Sequence, residues 1–251
     1  MIPKTIHYCW FGRNPKPDDV LRYIATWRKH CPDYGIVEWN EENFDVAEND
    51  YAREAYESRK WAFVTDYVRL AVLHRHGGIY MDTDVEVLKS LDPFLRHAAF
   101  TGFQSREEIP TGIMGAEAGN PWIAMLLAHY DGRHFLRPDG SMDTTVNIVP
   151  ITRATLAHSD LRLDGTFQVT DQGLAVYPQA FFCPFDYIDY RNPGARRRAV
   201  TADTHAIHHF MGSWNSGGTK LRRRILGLLG PRITGWLRRL KRAGKGGGGR
   251  G

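Results

Sequence analysis

The chain has 251 residues, with 33 Lys and Arg against 28 Asp and Glu and a formal net charge of +5. That length allows one large domain or a domain with a small appendage, and 12% aromatic residues with ordinary charge content argue against a disordered chain. No apolar run approaches the roughly 18 residues a membrane span needs, and three scattered cysteines, Cys9, Cys31 and Cys183, suit neither a disulfide framework nor a zinc site.

The N-terminal "MIPKTIHYCWFG" lacks the basic and apolar regions of a signal peptide. A cytoplasmic protein is the expectation. The charge is segregated: residues 220–251 hold eleven Lys and Arg and no acid, which leaves 22 basic against 28 acidic residues elsewhere, a net of −6. A basic tail on an acidic body favours an anionic partner, either membrane lipid or nucleic acid.

In chain order, residues 4–10 read as a buried first strand, followed by a Gly/Asn/Pro loop. Residues 18–30 predict a helix, with Val20, Ile24 and Trp27 at helical spacing and Asp18 as its cap. A short strand over 35–40 completes the opening of an α/β layer. Helices are expected over 51–58 and 60–76, the second stopped by Gly77 and Gly78. "IYM" then forms a strand that delivers Asp82 and Asp84, and "VEVLK" continues or pairs with it. A helical turn at "LDPFL", a strand at "AFTGFQ" and a helix over 120–130 follow. Another helix is expected around 144–157, starting late or kinked at Pro150. "GLAVYP" and "HAIHHF" read as late strands.

Side chains alternate across a strand, so Asp82 and Asp84 share a face and converge. Two carboxylates held that close repel unless a cation lies between them. Oxygen ligands suit Mg²⁺ or Mn²⁺, which take the rest of their shell from water and substrate phosphates. A solvated turn carrying two acids is the alternative. On the 60–76 helix, Phe63, Tyr67, Leu70 and Leu73 form an apolar stripe. Asp66 falls inside it and Arg69 at its edge. A carboxylate there must be paired or bound: either an internal Asp66–Arg69 ion pair, or Asp66 on a ligand sugar with Arg69 beside phosphate.

"IPKTIHYCWFG", "WAFVTDYVRLAVLHRHGGIYMDTDVEVL" and "AIHHFMGSWN" together resemble the DXD-containing sugar transferases of glycosyltransferase family 32. That family includes bacterial surface-polysaccharide enzymes and yeast mannosyltransferases. Asp-x-x-Arg followed by Gly-Gly-x-Tyr-x-Asp-x-Asp is also similar to the glucosyltransferase domain of the large clostridial toxins. The resemblance is strong over 2–95, patchy through the middle, and recovers at 206–215.

It implies a GT-A fold, an α/β domain with a mixed central sheet flanked by helices, over residues 1–219. It further implies a nucleotide-sugar donor, a glycan or lipid-linked saccharide acceptor, Mn²⁺ or Mg²⁺ as cofactor, and retention of anomeric configuration. By resemblance Trp10 stacks on the donor base. Asp66 and Arg69 contact the sugar and its neighbours, and Tyr80 precedes the aspartate pair. Asp82 meets ribose and either the metal or a water bound to it, and Asp84 ligates the metal directly. His208, Ser213 and Trp214 fall on a closing segment that reaches metal and diphosphate. His208 and His209 point to opposite faces of a strand, so at most one of them reaches the metal. "GSWNSGG" reads as a mobile lid.

Residues 220–243 carry apolar positions at helical spacing, broken at Gly230 and Pro231, with cations on the other faces. This is the pattern of a basic amphipathic segment on an anionic membrane, which would place the protein peripherally at the inner face of the cytoplasmic membrane. A C-terminal helix packed on the domain is the alternative. Nucleic acid ranks last, since no recognised binding module accompanies the charge. The Gly-rich 244–251 is expected to be disordered. Two rival functions fit the aspartate pair less completely. One is a haloacid-dehalogenase-like phosphatase, for which no suitable downstream lysine is available. The other is a catalytically inactive nucleotide-sugar-binding protein.

Overall fold

The structure, a computed structural model, describes residues 1–105, 107–109, 112–185 and 199–211. The expected lid, Ser213, Trp214, the 220–243 segment and the Gly-rich tail lie outside the described residues.

The chain opens with β1 (Thr5–Cys9), α1 (Asp18–His30) and β2 (Gly35–Trp39). Helices α2 (Asp50–Glu57) and α3 (Trp61–His76) follow, then β3 (Gly78–Met81) and β4 (Val85–Val87). Strands β5 (Ala99–Gly102) and β6 (Ile113–Ala116) precede α4 (Pro121–Ala128) and α5 (Ile148–His158). The last elements are β7 (Gln168–Val169), β8 (Leu174–Tyr177), α6 (Gln179–Phe182) and β9 (Ala206–His208). Seven strands form a mixed sheet in the order β2-β1-β3-β6-β5-β8-β7. β1 is parallel to β2 and β3, while β6 is antiparallel to both its neighbours. β4 and β9 form a separate antiparallel pair. This is the mixed α/β architecture expected of a GT-A domain.

Alternation along the strands divides the core in two. Tyr80, Leu174 and Val176 face the cluster formed with α2, α3, α4 and α5. Ile79, Met81, Ala175 and Tyr177 face the cluster built around Val20, Ile24 and Trp27 of α1. α1 is anchored through the Trp27 indole N–H, which donates to Val85 O at 2.7 Å. Asp18 does not cap α1. Pro17 occupies the N-cap without a side-chain bond, and Asp18 and Asp19 fall in the first turn, where they face the positive end of the helix dipole.

α3 differs from the expected stripe. Its residues from Phe63 to Leu73 are buried except Thr65, because the helix is wedged between β1, α2 and α4. It stops at Gly77, whose φ of 64° is a left-handed value that glycine adopts without strain. A Cβ there would lie 2.7 Å from Ala118 N, and one at Gly78 would lie 2.6 Å from Thr5 O. No side chain fits where the chain reverses into β3. As expected, α5 starts late, so that Pro150 falls in its first turn.

Candidate functional site

β3 ends at Met81, one residue before the aspartates. Asp82 and Asp84 therefore do not converge by strand alternation, which corrects the expectation. They sit on a tight turn closed by Val85 N–H donating to Asp82 O at 3.0 Å. The turn leads into β4, and the register of β4 against β9 sets Val85 opposite His208. Asp82, Asp84 and His208 then offer ligand atoms that all lie within 4.8 Å of one another.

Each member of this group is held from behind. The Tyr80 hydroxyl donates to Asp82 Oδ1 at 3.1 Å. Arg69 Nη2 lies 3.3 Å from the same oxygen and 3.1 Å from Asp66 Oδ1. The Met211 N–H donates to Asp84 Oδ2 at 2.8 Å, and His208 Nε2 lies 3.2 Å from Asp84 Oδ1. His209 points the other way, pairing with Glu86 at 2.7 Å and stacking on Tyr23. The two histidines thus point opposite ways where β9 ends, and His208 is the one at the acids.

Both members of the ion pair on α3 are buried: Asp66 is 8% exposed and Arg69 4%. Burial pushes the Asp66 carboxyl up to about 7, even though Arg69 favours its charged form. Burial works against the Arg69 charge, but Asp82, Tyr80 and Asp66 outweigh it and hold the guanidinium firmly ionised. Asp84 is also desolvated, yet His208 and the Met211 N–H keep its pKa low. Asp84 in turn raises His208 well above an ordinary imidazole, against its own burial. A proton on His208 and a divalent cation at the carboxylates are thus competing ways to balance the same charge.

These groups lie at a cavity of about 710 Å³ whose wall also includes Trp10 and Asn147. The Trp10 indole N–H donates to Asn14 O at 2.7 Å, and Lys16 Nζ lies 5.8 Å from its ring. Asn147 was not anticipated. An asparagine just ahead of a helix reads as a cap, yet it makes no cap bond. Its Nδ2 donates instead to Asp66 Oδ1 at 3.1 Å. Thr65 was missed as well: its carbonyl and hydroxyl accept from Arg69 at 3.1 and 3.3 Å. Neither residue carries a signal separating it from an ordinary helical polar group. Among the described residues, the structure thus brings Trp10, Asp66, Arg69, Tyr80, Asp82, Asp84 and His208 to one cavity.

The donor set fits a hard divalent cation: two carboxylates and one imidazole on a rigid turn and strand. His208 Nδ1 is buried without a hydrogen-bond partner among the described residues.

Residues 17–101 match the family described as "Glycosyltransferase sugar-binding region containing DXD motif". Inositol phosphoceramide mannosyltransferase 3 of Schizosaccharomyces pombe is 30% identical over 134 residues, which span 50% of this chain and 36% of that protein. Mannosyl phosphorylinositol ceramide synthase SUR1 of Saccharomyces cerevisiae is 28% identical over 147 residues, 54% of this chain and 37% of that protein. The chain thus spans little more than a third of the length of either relative. Among solved structures, the PaToxG glycosyltransferase superposes with a TM-score of 0.49 at 17% identity, covering 62% of this chain and 69% of that one. With Asp82-Thr83-Asp84 inside the matched span, residues 17–101 are similar to the DXD-containing sugar-binding region of glycosyltransferases.

Proposed function

We propose that the protein transfers a sugar from a nucleotide-sugar donor to a glycan or glycolipid acceptor, with a divalent cation at Asp82, Asp84 and His208. The observation that carries this reading is the convergence of those three side chains at a large cavity, beside the buried Asp66–Arg69 pair. The names of the two yeast relatives, an inositol phosphoceramide mannosyltransferase and a mannosyl phosphorylinositol ceramide synthase, support a glycolipid acceptor. The basic, apolar segment 220–243 supports a peripheral position on an anionic membrane.

Bound Mn²⁺ or Mg²⁺ would neutralise charge developing on the donor's leaving diphosphate. The chain's own residues supply position. Trp10 offers an indole face to the nucleobase, and Asp66, steadied by Asn147 and Arg69, orients the sugar. Tyr80 and Arg69 fix Asp82. Asp66, Asp82 and Asp84 are each engaged by neighbouring donors, so none stands free as a nucleophile. With the retention that the family resemblance implies, that supports a same-face route over a double displacement. The bond from anomeric carbon to phosphate oxygen breaks, the acceptor oxygen bonds on that face, and its proton passes to the departing phosphate.

The test is incubation with UDP- and GDP-sugars in Mn²⁺ or in EDTA, reading nucleoside diphosphate release. Metal-dependent release is expected. Cleavage of phosphomonoesters with no nucleotide-sugar turnover would overturn the proposal in favour of a phosphatase.

A further inference from the structure

Two cations stand at the cavity where α2 passes into α3. α2 ends in a Schellman turn: Arg59 N–H donates to Tyr56 O and Lys60 N–H to Ala55 O, both at 2.8 Å. The turn sets Arg59 just past the helix end with φ 56°. This is the left-handed conformation in which glycine is the favoured residue and an L side chain is strained. Local stability alone would select glycine here, yet the position carries a long cation.

Arg59 and Lys60 are exposed, both border the cavity, and neither side chain has an ion-pair partner among the described residues. The other cations of the region are already committed. Arg69 is shared between Asp66 and Asp82, and Lys16 pairs with Glu38. Of the acids along the wall, Asp66 and Asp82 are held by Arg69 and Asp84 by His208. Arg59 and Lys60 therefore leave uncompensated positive charge facing whatever enters.

We propose that Arg59 and Lys60 form an anion subsite that recognises a phosphate group carried by the acceptor saccharide. The proposal rests on the glycosyltransferase reading, which assigns the donor diphosphate to the less exposed ground beside Asp82, Asp84 and His208. The two exposed cations border the same cavity from its solvent side. A guanidinium fork beside an ammonium suits a phosphate, one giving paired directional bonds and the other a point charge.

The experiment measures binding by calorimetry at low ionic strength, where exposed charges are least screened. The full chain is used in Mn²⁺, saturated with UDP or GDP. Wild type is expected to bind glucose 6-phosphate at least about tenfold more tightly than glucose. Arg59→Gly combined with Lys60→Gln should abolish that preference and leave nucleoside diphosphate affinity unchanged. Arg59→Gly alone should melt no lower than wild type, because glycine suits the turn, so lost binding cannot be ascribed to misfolding. Three results overturn the subsite: no preference in wild type, an unchanged preference in the double variant, or a comparable loss of nucleoside diphosphate affinity, which would assign the cations to the donor. Failure of wild type to bind either UDP or GDP overturns the glycosyltransferase reading itself, and the subsite with it.

Discussion

The Arg69 guanidinium lies 3.3 Å from the Asp82 carboxylate, so one ion pair ties the buried helix α3 to the turn that carries the aspartates. The same nitrogen lies 3.1 Å from Asp66. Arg69→Ala would leave two neighbouring carboxylates without their shared cation, one of them buried. Breaking a buried pair from one side costs about 3–5 kcal/mol, and a drop of that order in urea-unfolding free energy is expected. Arg69→Lys should fall between, because one ammonium cannot serve Asp66, Asp82 and Thr65 together. An Arg69→Ala protein as stable as wild type would show the pair to be incidental.

Asp84→Asn tests the cation site while keeping the shape of the side chain. The asparagine oxygen can still accept the Met211 N–H that Asp84 now binds, but the charge that attracts a divalent ion is gone. Mn²⁺ affinity by calorimetry should fall at least about tenfold, and the melting temperature in EDTA should drop modestly, because the pair with His208 is lost. Equal Mn²⁺ affinity in the two proteins would remove Asp84 from the ligand set.

Much of this arrangement is legible in the sequence where local pattern and tertiary burial agree. Val20, Ile24 and Trp27 mark α1 because their helical spacing and their packing favour the same conformation. Gly77 and Gly78 mark a chain reversal that only glycine fits. The four residues of β6, by contrast, gave no strand signal. "IMGA" becomes a strand because β3 and β5 flank it, and no local pattern reports such pairing. The stripe drawn through Phe63, Tyr67, Leu70 and Leu73 understated α3, which is covered on nearly all sides. At the site, the aspartate pair stood out by its charge against an apolar strand. Asn147 did not, since its bond to Asp66 joins residues 81 apart in the chain.

The pH dependence of stability should carry the mark of Asp66. Burial raises its pKa from 3.8 to about 7, so the folded protein holds this proton more tightly than the unfolded chain does. The stability linked to it is fully present below about pH 4 and is lost as pH rises through about 7, by at most roughly 4 kcal/mol. Urea midpoints measured in EDTA at about pH 5 and about pH 8 should therefore fall for wild type. Asp66→Asn, which keeps the shape of the neutral form, should flatten that decline. Identical slopes in the two proteins would mean that Asp66 is ionised throughout.

Gly115 and Phe100 form the other tight contact with a clear consequence. They are cross-strand partners on β6 and β5, and the Phe100 ring covers the glycine so closely that a Cβ would fall inside its carbon atoms. The ring cannot easily withdraw, being fully buried with Phe94 at 5.3 Å and Phe182 at 5.8 Å. Gly115→Ala should thus overpack the sheet centre and cost about 1–3 kcal/mol, read as a lower melting temperature. Phe100→Leu destabilises by itself through lost contacts, but a smaller side chain makes room for the new methyl. The double variant should accordingly lose less stability than the two single losses summed, as expected for residues in direct contact. Strict additivity would place the source of the Gly115→Ala loss in the backbone instead of the ring.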